Sequence, residues 1–274
     1  NRTLDSLVDQ KYKRFEVVIV DDFSDDIDDM KAIVERYLIM GLDVTLYSSR
    51  TKLNGAGARN KGVEISKYEY LAFLDSDDIW HPETLMKYNT EIIKNKFRDE
   101  IVFYSKVRVI KNGMKIKEMP IRPFNAKVET IAGYIFGCAG FIQTSTIVLN
   151  RSTFSKVRFN EDFKRHQDYD LCIRLANIGC EFYFIDEVLS DYIISDTPVS
   201  IKGESVSYSY YWLNAMKSFL TEQDVHTYKA FKLTKKTHGV KKIINFWSNL
   251  FFCNKVHVYD LLRLIVVKIR GNRE

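Results

Sequence analysis

The sequence predicts an α/β fold: a doubly wound sheet with helices on both faces, followed by a C-terminal helical extension. Three observations carry that expectation. Short β-branched runs alternate with stretches of helical spacing through the first half of the chain. Two of those runs end in clustered aspartates, as strands that feed a ligand site at a carboxyl edge do. Past about residue 200 the strand patterns stop and amphipathic helix takes over.

The elements follow in order. Residues 2–8 read as a helix, and Phe15-Glu16-Val17-Val18-Ile19-Val20 as a buried strand ending in Asp21-Asp22. Residues 27–39 place Ile27, Met30, Ile33, Val34, Tyr37 and Leu38 at helical spacing. Residues 44–47 form a second strand, 55–65 a glycine-led helix, and 70–74 a third strand ending in Asp75. If the first and third strands are parallel neighbours, their aspartates meet at one rim. Pro82 suits the first turn of the next helix. The runs 102–110 and 114–119 flank Asn112-Gly113, a hairpin signal. A helix from about Asp168 through Ile178 and a strand at 181–185 complete the set. Tyr208, Tyr210, Tyr211 and Trp212 read as core, although such a cluster also suits stacking on sugars.

Composition narrows the classes. With 274 residues, 46% apolar and 28% charged, the chain can bury one large core, which excludes a disordered or collagen-like protein. The four cysteines form no C-x-x-C pair, so neither a zinc site nor a disulfide framework is expected, and a reducing cytosol fits. No signal peptide is expected, and no uncharged apolar run reaches the roughly 18 residues of a membrane span. Residues 229–274 hold 11 Lys or Arg against 2 acids, whereas the first 228 hold 30 basic and 34 acidic side chains. An acidic body with a basic tail argues against a nucleic-acid-binding surface. The tail interleaves Lys241, Lys242 and Arg263 with Val240, Ile244, Trp247 and Leu262. That pattern suits helices lying on an anionic membrane surface, or a helical annex with solvated charges.

Three constellations carry chemistry. Asp21-Asp22 and Asp75-Ser76-Asp77-Asp78 would crowd carboxylates at one edge, which favours a cation or sugar hydroxyls there. Oxygen-only ligands suit Mg²⁺ or Mn²⁺ carrying a diphosphate. The alternative is that Asp22, Ser24 and Asp78 cap helices and the rest are turn residues. Next, Asn54-Gly55-Ala56-Gly57-Ala58-Arg59-Asn60-Lys61-Gly62 offers small residues and an Arg near a helix start, which suits phosphate. It fails as a dinucleotide fingerprint, because Asn60 stands at the third glycine position; Gly and Ala also serve tight packing. Last, Arg165-His166-Gln167-Asp168-Tyr169-Asp170-Leu171 could present a general base, or could simply cap a helix with Asp170 paired to Arg174.

Together, Phe-Glu-Val-Val-Ile-Val-Asp-Asp-Phe-Ser at 15–24, Ala-Arg-Asn-Lys-Gly at 58–62, Phe-Leu-Asp-Ser-Asp-Asp-Ile-Trp at 73–80 and His-Gln-Asp-Tyr-Asp-Leu at 166–171 resemble family 2 glycosyltransferases of the GT-A fold. The resemblance covers about residues 1–200, the catalytic domain, and leaves 201–274 as the extension. It implies inverting transfer from a nucleotide-sugar donor, with a leaning to UDP. Asp21 and Asp22 match the acids that hold base and ribose, and Arg59 the basic residue near the nucleotide. Asp75 and Asp77 match the D-x-D motif, Asp75 facing the nucleotide sugar and Asp77 a divalent Mn²⁺ or Mg²⁺. Asp168 matches the catalytic base of an E-D motif, with Gln167 where that motif has Glu. Asp170, His166 and Trp80 are candidates for acceptor, donor or supporting contacts.

The resemblance also places a first strand before residues 2–8 that these 274 residues do not contain. The implied acceptor is a glycan, polyprenyl-diphosphate-linked, in bacterial O-antigen, capsule or lipopolysaccharide assembly. The implied location is the cytoplasmic side of the plasma membrane. Two other classes stand beside this one: a sugar nucleotidyltransferase, and a non-catalytic nucleotide-sugar-binding or membrane scaffold protein.

Overall fold

The first hundred residues build the frame that holds the aspartate-rich turns. In the computed structural model, which describes residues 2–194 and 205–271, helix α1 (Arg2–Val8) buries Ser6 and Leu7. Strand β1 (Val17–Asp21) leads through α2 (Ile27–Ile39) to β2 (Val44–Ser48). The two strands pair in parallel from Val17 opposite Val44 to Asp21 opposite Ser48. Helix α2 buries Val34 and Tyr37, part of the stripe that its spacing predicts. Then come α3 (Asn54–Ile65), β3 (Tyr70–Ala72), β4 (Ile79–Trp80) and α4 (Thr84–Lys94). Helix α4 starts later than Pro82 suggests. Pro82 and Glu83 form a turn in which the His81 carbonyl accepts from the Thr84 N–H.

The next segment forms the predicted hairpin, β5 (Ile101–Lys111) and β6 (Met114–Met119). Asn112 and Gly113 both take positive φ, 51° and 74°, as a two-residue hairpin turn requires. Helix α5 (Ile131–Phe136), strand β7 (Val148–Asn150), α6 (Arg151–Val157) and α7 (Gln167–Asn177) lead to β8 (Glu181–Ile194). Strand β8 runs well past its expected end at Ile185. Ser105 faces Ile185 but Lys106 faces Val188, so Asp186 and Glu187 bulge out of the ladder. In the sequence that polar pair imitates a turn.

The sheet is mixed and divided. Strands β1 and β2 stand as a two-stranded unit, while the other strands run in the order β3-β7-β5-β8-β4 with β6 on β5. Strand β8 is parallel to β5, whereas β7 is antiparallel to both β3 and β5. Strands β1 and β3 are therefore not neighbours: among the described residues no ladder joins them. Helix α3 connects their acidic ends instead.

The largest buried cluster draws Tyr104 from β5, Phe136 from α5 and Leu171 from α7. It continues into α8 (Val206–Ala215) and α9 (Glu222–Phe231) through Trp212, Leu213 and Tyr228. Trp212 is fully buried, as a core residue should be, while Tyr210 and Tyr211 are exposed. The domain boundary placed at residue 200 lies outside the described residues. Helices α10 (Gly239–Leu250) and α11 (Lys255–Gly271) close the chain.

An ionic group fastens α11. Arg122 donates to Asp260 at 2.7 Å and to both oxygens of Glu129. Glu129 and Asp260 are both buried. Burial pushes the Glu129 carboxyl up despite the pull of Arg122. Replacing Arg122 by Met should therefore cost about 3–5 kcal/mol, since two buried carboxylates lose their counter-charge. Urea unfolding of the variant against wild type measures this. The triple change with Glu129→Gln and Asp260→Leu should recover part of the loss.

Candidate active site

The site begins at the carboxyl end of β1. Asp21 is buried, and its Oδ2 accepts from the Ser24 N–H at 3.3 Å and from the Ser48 hydroxyl at 3.0 Å. Burial raises its pKa, but those hydrogen bonds and Lys52 outweigh it, so Asp21 titrates below the usual carboxylate range. Asp22 turns the other way. Its Oδ1 accepts from the backbone N–H groups of Leu53 and Asn54, at 2.5 and 3.2 Å. Lys52 lies 3.2 Å from its Oδ2. Asp22 is thus a helix cap, but for α3, thirty-odd residues along the chain, rather than for the α2 that follows it.

Helix α3 carries Arg59 toward the second acidic turn. Its Nη2 meets Asp75 Oδ1 at 2.5 Å, and its Nη1 donates to Gln167 Oε1 at 2.7 Å. The guanidinium also lies over the Phe159 ring, 5.3 Å from the centroid. Asn60, at the position where a dinucleotide motif has glycine, is buried and exchanges hydrogen bonds with the Phe159 backbone. It anchors the helix; it does not approach a ligand.

The Asp75–Asp78 turn is held from both sides. The Thr3 hydroxyl donates to the carbonyls of Ser76 and Asp78, at 2.7 and 2.8 Å. Asp78 has no exposed surface; it accepts from Gln143, the Ser145 hydroxyl and the Ile193 N–H. Burial pushes its pKa to about 7, against the pull of Ser145. Asp78 is therefore neither a helix cap nor an open ligand, but the peg that fixes the turn. Asp77 faces outward and exposed, and its pKa is raised by local desolvation and by Asp75. Trp80 is 5% exposed, with its indole N–H on the Ser145 carbonyl at 2.8 Å, so the fold uses it as core.

Helix α7 completes the arrangement. Asp168 still touches solvent, yet protein atoms crowd it closely. Desolvation lifts its pKa to about 6, the Tyr169 N–H and Arg59 pull it down, and Asp75 adds to the rise. His166 starts the helix in the left-handed region (φ 60°), stacks on Tyr169 and hydrogen-bonds the Tyr228 hydroxyl at 2.9 Å. Burial first, then Lys236, Lys232 and Arg165, lower its pKa to about 3, so it is neutral at physiological pH. Asp170 is fully buried and committed to Arg174. The ordinary i,i+4 pairing is what the structure contains there.

One residue escaped the sequence reading. Tyr192 on β8 is pushed to about 12 by burial and by Asp78, Asp168, Asp77 and Asp75. It lies next to Ile193, whose N–H binds Asp78. No local motif marks it, because only the register of β8 against β4 brings it to the turn.

Comparison with known proteins places the chain in a family. The profile described as "Glycosyl transferase family 2" matches residues 1–148. The chain belongs to glycosyltransferase family 2. It is 42% identical to the amylovoran biosynthesis glycosyltransferase AmsB of Erwinia amylovora, over 98% of this chain and 91% of that one. It is 29% identical, over 65% of its length and 64% of the relative's, to a protein of Escherichia coli. That protein is the UDP-Glc:alpha-D-GlcNAc-diphosphoundecaprenol beta-1,3-glucosyltransferase WfaP. Among solved structures, S. aureus TarS 1–349 in complex with UDP-GlcNAc superposes with a TM-score of 0.66 at 19% identity, covering 90% of this chain and 74% of that one. The fold is the GT-A fold of these enzymes, and the protein is a glycosyltransferase.

The chain spends Asp22 on structure, through the backbone N–H groups at the start of α3. Asp22→Ala should lower stability by about 1 kcal/mol, the worth of an N-cap, through α3. A thermal scan without ligand tests this; a carboxylate used only for nucleotide would leave the midpoint where it was.

Proposed function

We propose that this glycosyltransferase moves a sugar from a UDP-sugar to a hydroxyl of a lipid-linked glycan, with inversion, in bacterial surface-polysaccharide assembly. The observation that carries the reading is the bridge made by Arg59, which gathers Asp75 and Gln167 beside Asp168. With a pKa near 6, Asp168 is mostly ionised at neutral pH and still basic enough to take a proton. As the acceptor oxygen bonds to the anomeric carbon, the bond to the diphosphate breaks and the hydroxyl proton passes to Asp168. Arg59 holds positive charge where the leaving group becomes more negative. Asp21 and Asp22 serve the base and ribose, and Asp75 the donor sugar.

Among the described residues no group of three His, Cys, Asp or Glu forms a self-contained metal site. The exposed Asp77, crowded by Asp75, suits instead an Mn²⁺ or Mg²⁺ that takes its other ligands from diphosphate and water. Such an ion would supply further charge neutralisation on the leaving group. The names of the relatives support the rest: WfaP's own name gives a UDP-glucose donor and a diphosphoundecaprenol-linked acceptor.

A lipid-linked acceptor fits the outer face of the extension. Val240, Ile243, Ile244, Trp247 and Phe251 on and just after α10 are all exposed, as are Leu262 and Ile265 on α11. Lys241 and Lys242 flank the stripe. No helix among the described residues is long and apolar enough to cross a membrane. The exposed apolar stripe and its flanking lysines support a protein that lies on the anionic cytoplasmic surface of the plasma membrane.

Three measurements test these proposals. Calorimetry with UDP, GDP, dTDP and CDP, with and without Mn²⁺, should show metal-dependent binding of UDP that Asp77→Asn removes. Asp168→Asn should keep that binding and lose about 10²–10⁴-fold in transfer. Wild-type activity should fall as pH drops through about 6, because protonated Asp168 cannot accept the hydroxyl proton. Failure of every nucleotide to bind would overturn the donor site. For the second proposal, phosphatidylglycerol vesicles should sediment the protein and phosphatidylcholine vesicles should not. Lys241→Ala and Lys242→Ala should each weaken that binding about fivefold; equal sedimentation with both lipids would overturn it.

A further inference from the structure

The structure gives Gln167 a use that an acid at the same place would lack. Its Oε1 accepts from Arg59 Nη1 at 2.7 Å, while its Nε2 donates to the Phe163 carbonyl at 2.7 Å. A carboxylate has no donor, so Glu at this place would set a negative oxygen against that carbonyl. Room for the pair comes from Gly55. A Cβ there would lie 3.1 Å from Arg59 Nη1 and 3.1 Å from Gln167 Oε1, the two atoms of the hydrogen bond. The small residue of the 54–62 segment thus clears space for a side-chain contact between α3 and α7.

Charge explains why an amide serves. Arg59 already faces Asp75 in contact, and its charge also acts on Asp77 and Asp168. A fourth carboxylate would bind the guanidinium more strongly and tip the site further negative, against an incoming diphosphate. An amide orients a guanidinium without cancelling its charge. We propose that Gln167 is a positioning residue that pins Arg59 beside Asp75 while leaving its charge available to the donor diphosphate. This rests on the donor-site reading above.

The test is a mutant cycle read by UDP calorimetry in the presence of Mn²⁺, with thermal unfolding alongside. Gln167→Glu should weaken UDP about tenfold through the added like charge. Gln167→Leu keeps the charge count and loses both hydrogen bonds, and should weaken UDP about fivefold. In an Arg59→Ala background Gln167→Leu should change UDP affinity by less than about twofold, because the residue acts through Arg59. A role in helix packing alone would lower the unfolding midpoint and leave UDP affinity unchanged, which would overturn the proposal. So would an equal loss with and without Arg59. Wild type that binds no UDP would bring down the donor-site reading and this inference with it. Wild type that binds UDP through Arg59, with both Gln167 variants binding equally well, would bring down this inference alone.

Discussion

Everything at this site depends on how one guanidinium is held. Arg59 is about a fifth exposed, with a carboxylate on one side, an amide on the other and an aromatic ring across its face. Four chain segments must be in place for that: α3, the turn after β3, the stretch between α6 and α7 that carries Phe159, and the start of α7. Each is secured by its own device, and Asn60 holds the Phe159 backbone. Asp22 caps α3, Thr3 and Asp78 clamp the turn, and Gln167 ties to the Phe163 carbonyl. The planar fork of Arg59 donates to a carboxylate and to an amide oxygen in fixed directions, which a lysine could not reproduce. The same group tempers the repulsion among Asp75, Asp77 and Asp168 and so lets three acids share a small space.

What could be read from the sequence was local. The β-branched run before Asp21, the Asn112-Gly113 turn and the spacing of α2 and α7 each follow from a period or a dipeptide, and each is present. The acids of the candidate site were found as motifs, and α3 links their two turns. Long-range roles were not legible. Nothing near Asp22 says that it will cap a helix beginning at residue 54, and nothing near Asp78 announces Gln143, Ser145 and Ile193 as partners. The separation of β1 from β3 was hidden because strand order is not written in strand pattern. Strand β8 was cut short for a different reason: two charged residues in mid-strand look the same whether the chain turns or bulges.

The helical extension does two things at once. Its inner side supplies Trp212 and Tyr228 to the central core, and Tyr228 also reaches His166 at the start of α7. Arg122, Glu129 and Asp260 fix α11 to the loop before α5. The outer side of α10 is left apolar and exposed. Inner packing and outer surface therefore belong to the same extension, and His166, neutral and left-handed at φ 60°, is where the start of α7 meets it.

On the proposed reading Asp22 carries two duties with one carboxylate. Its oxygens already hold the first turn of α3 and Lys52. Any nucleoside recognised there has to share them. Such sharing ties the evolution of specificity to the evolution of stability. A lineage that needed another residue at position 22 to accept a different donor would first have to find another cap for α3, so variation is freer at positions whose side chains the fold does not use.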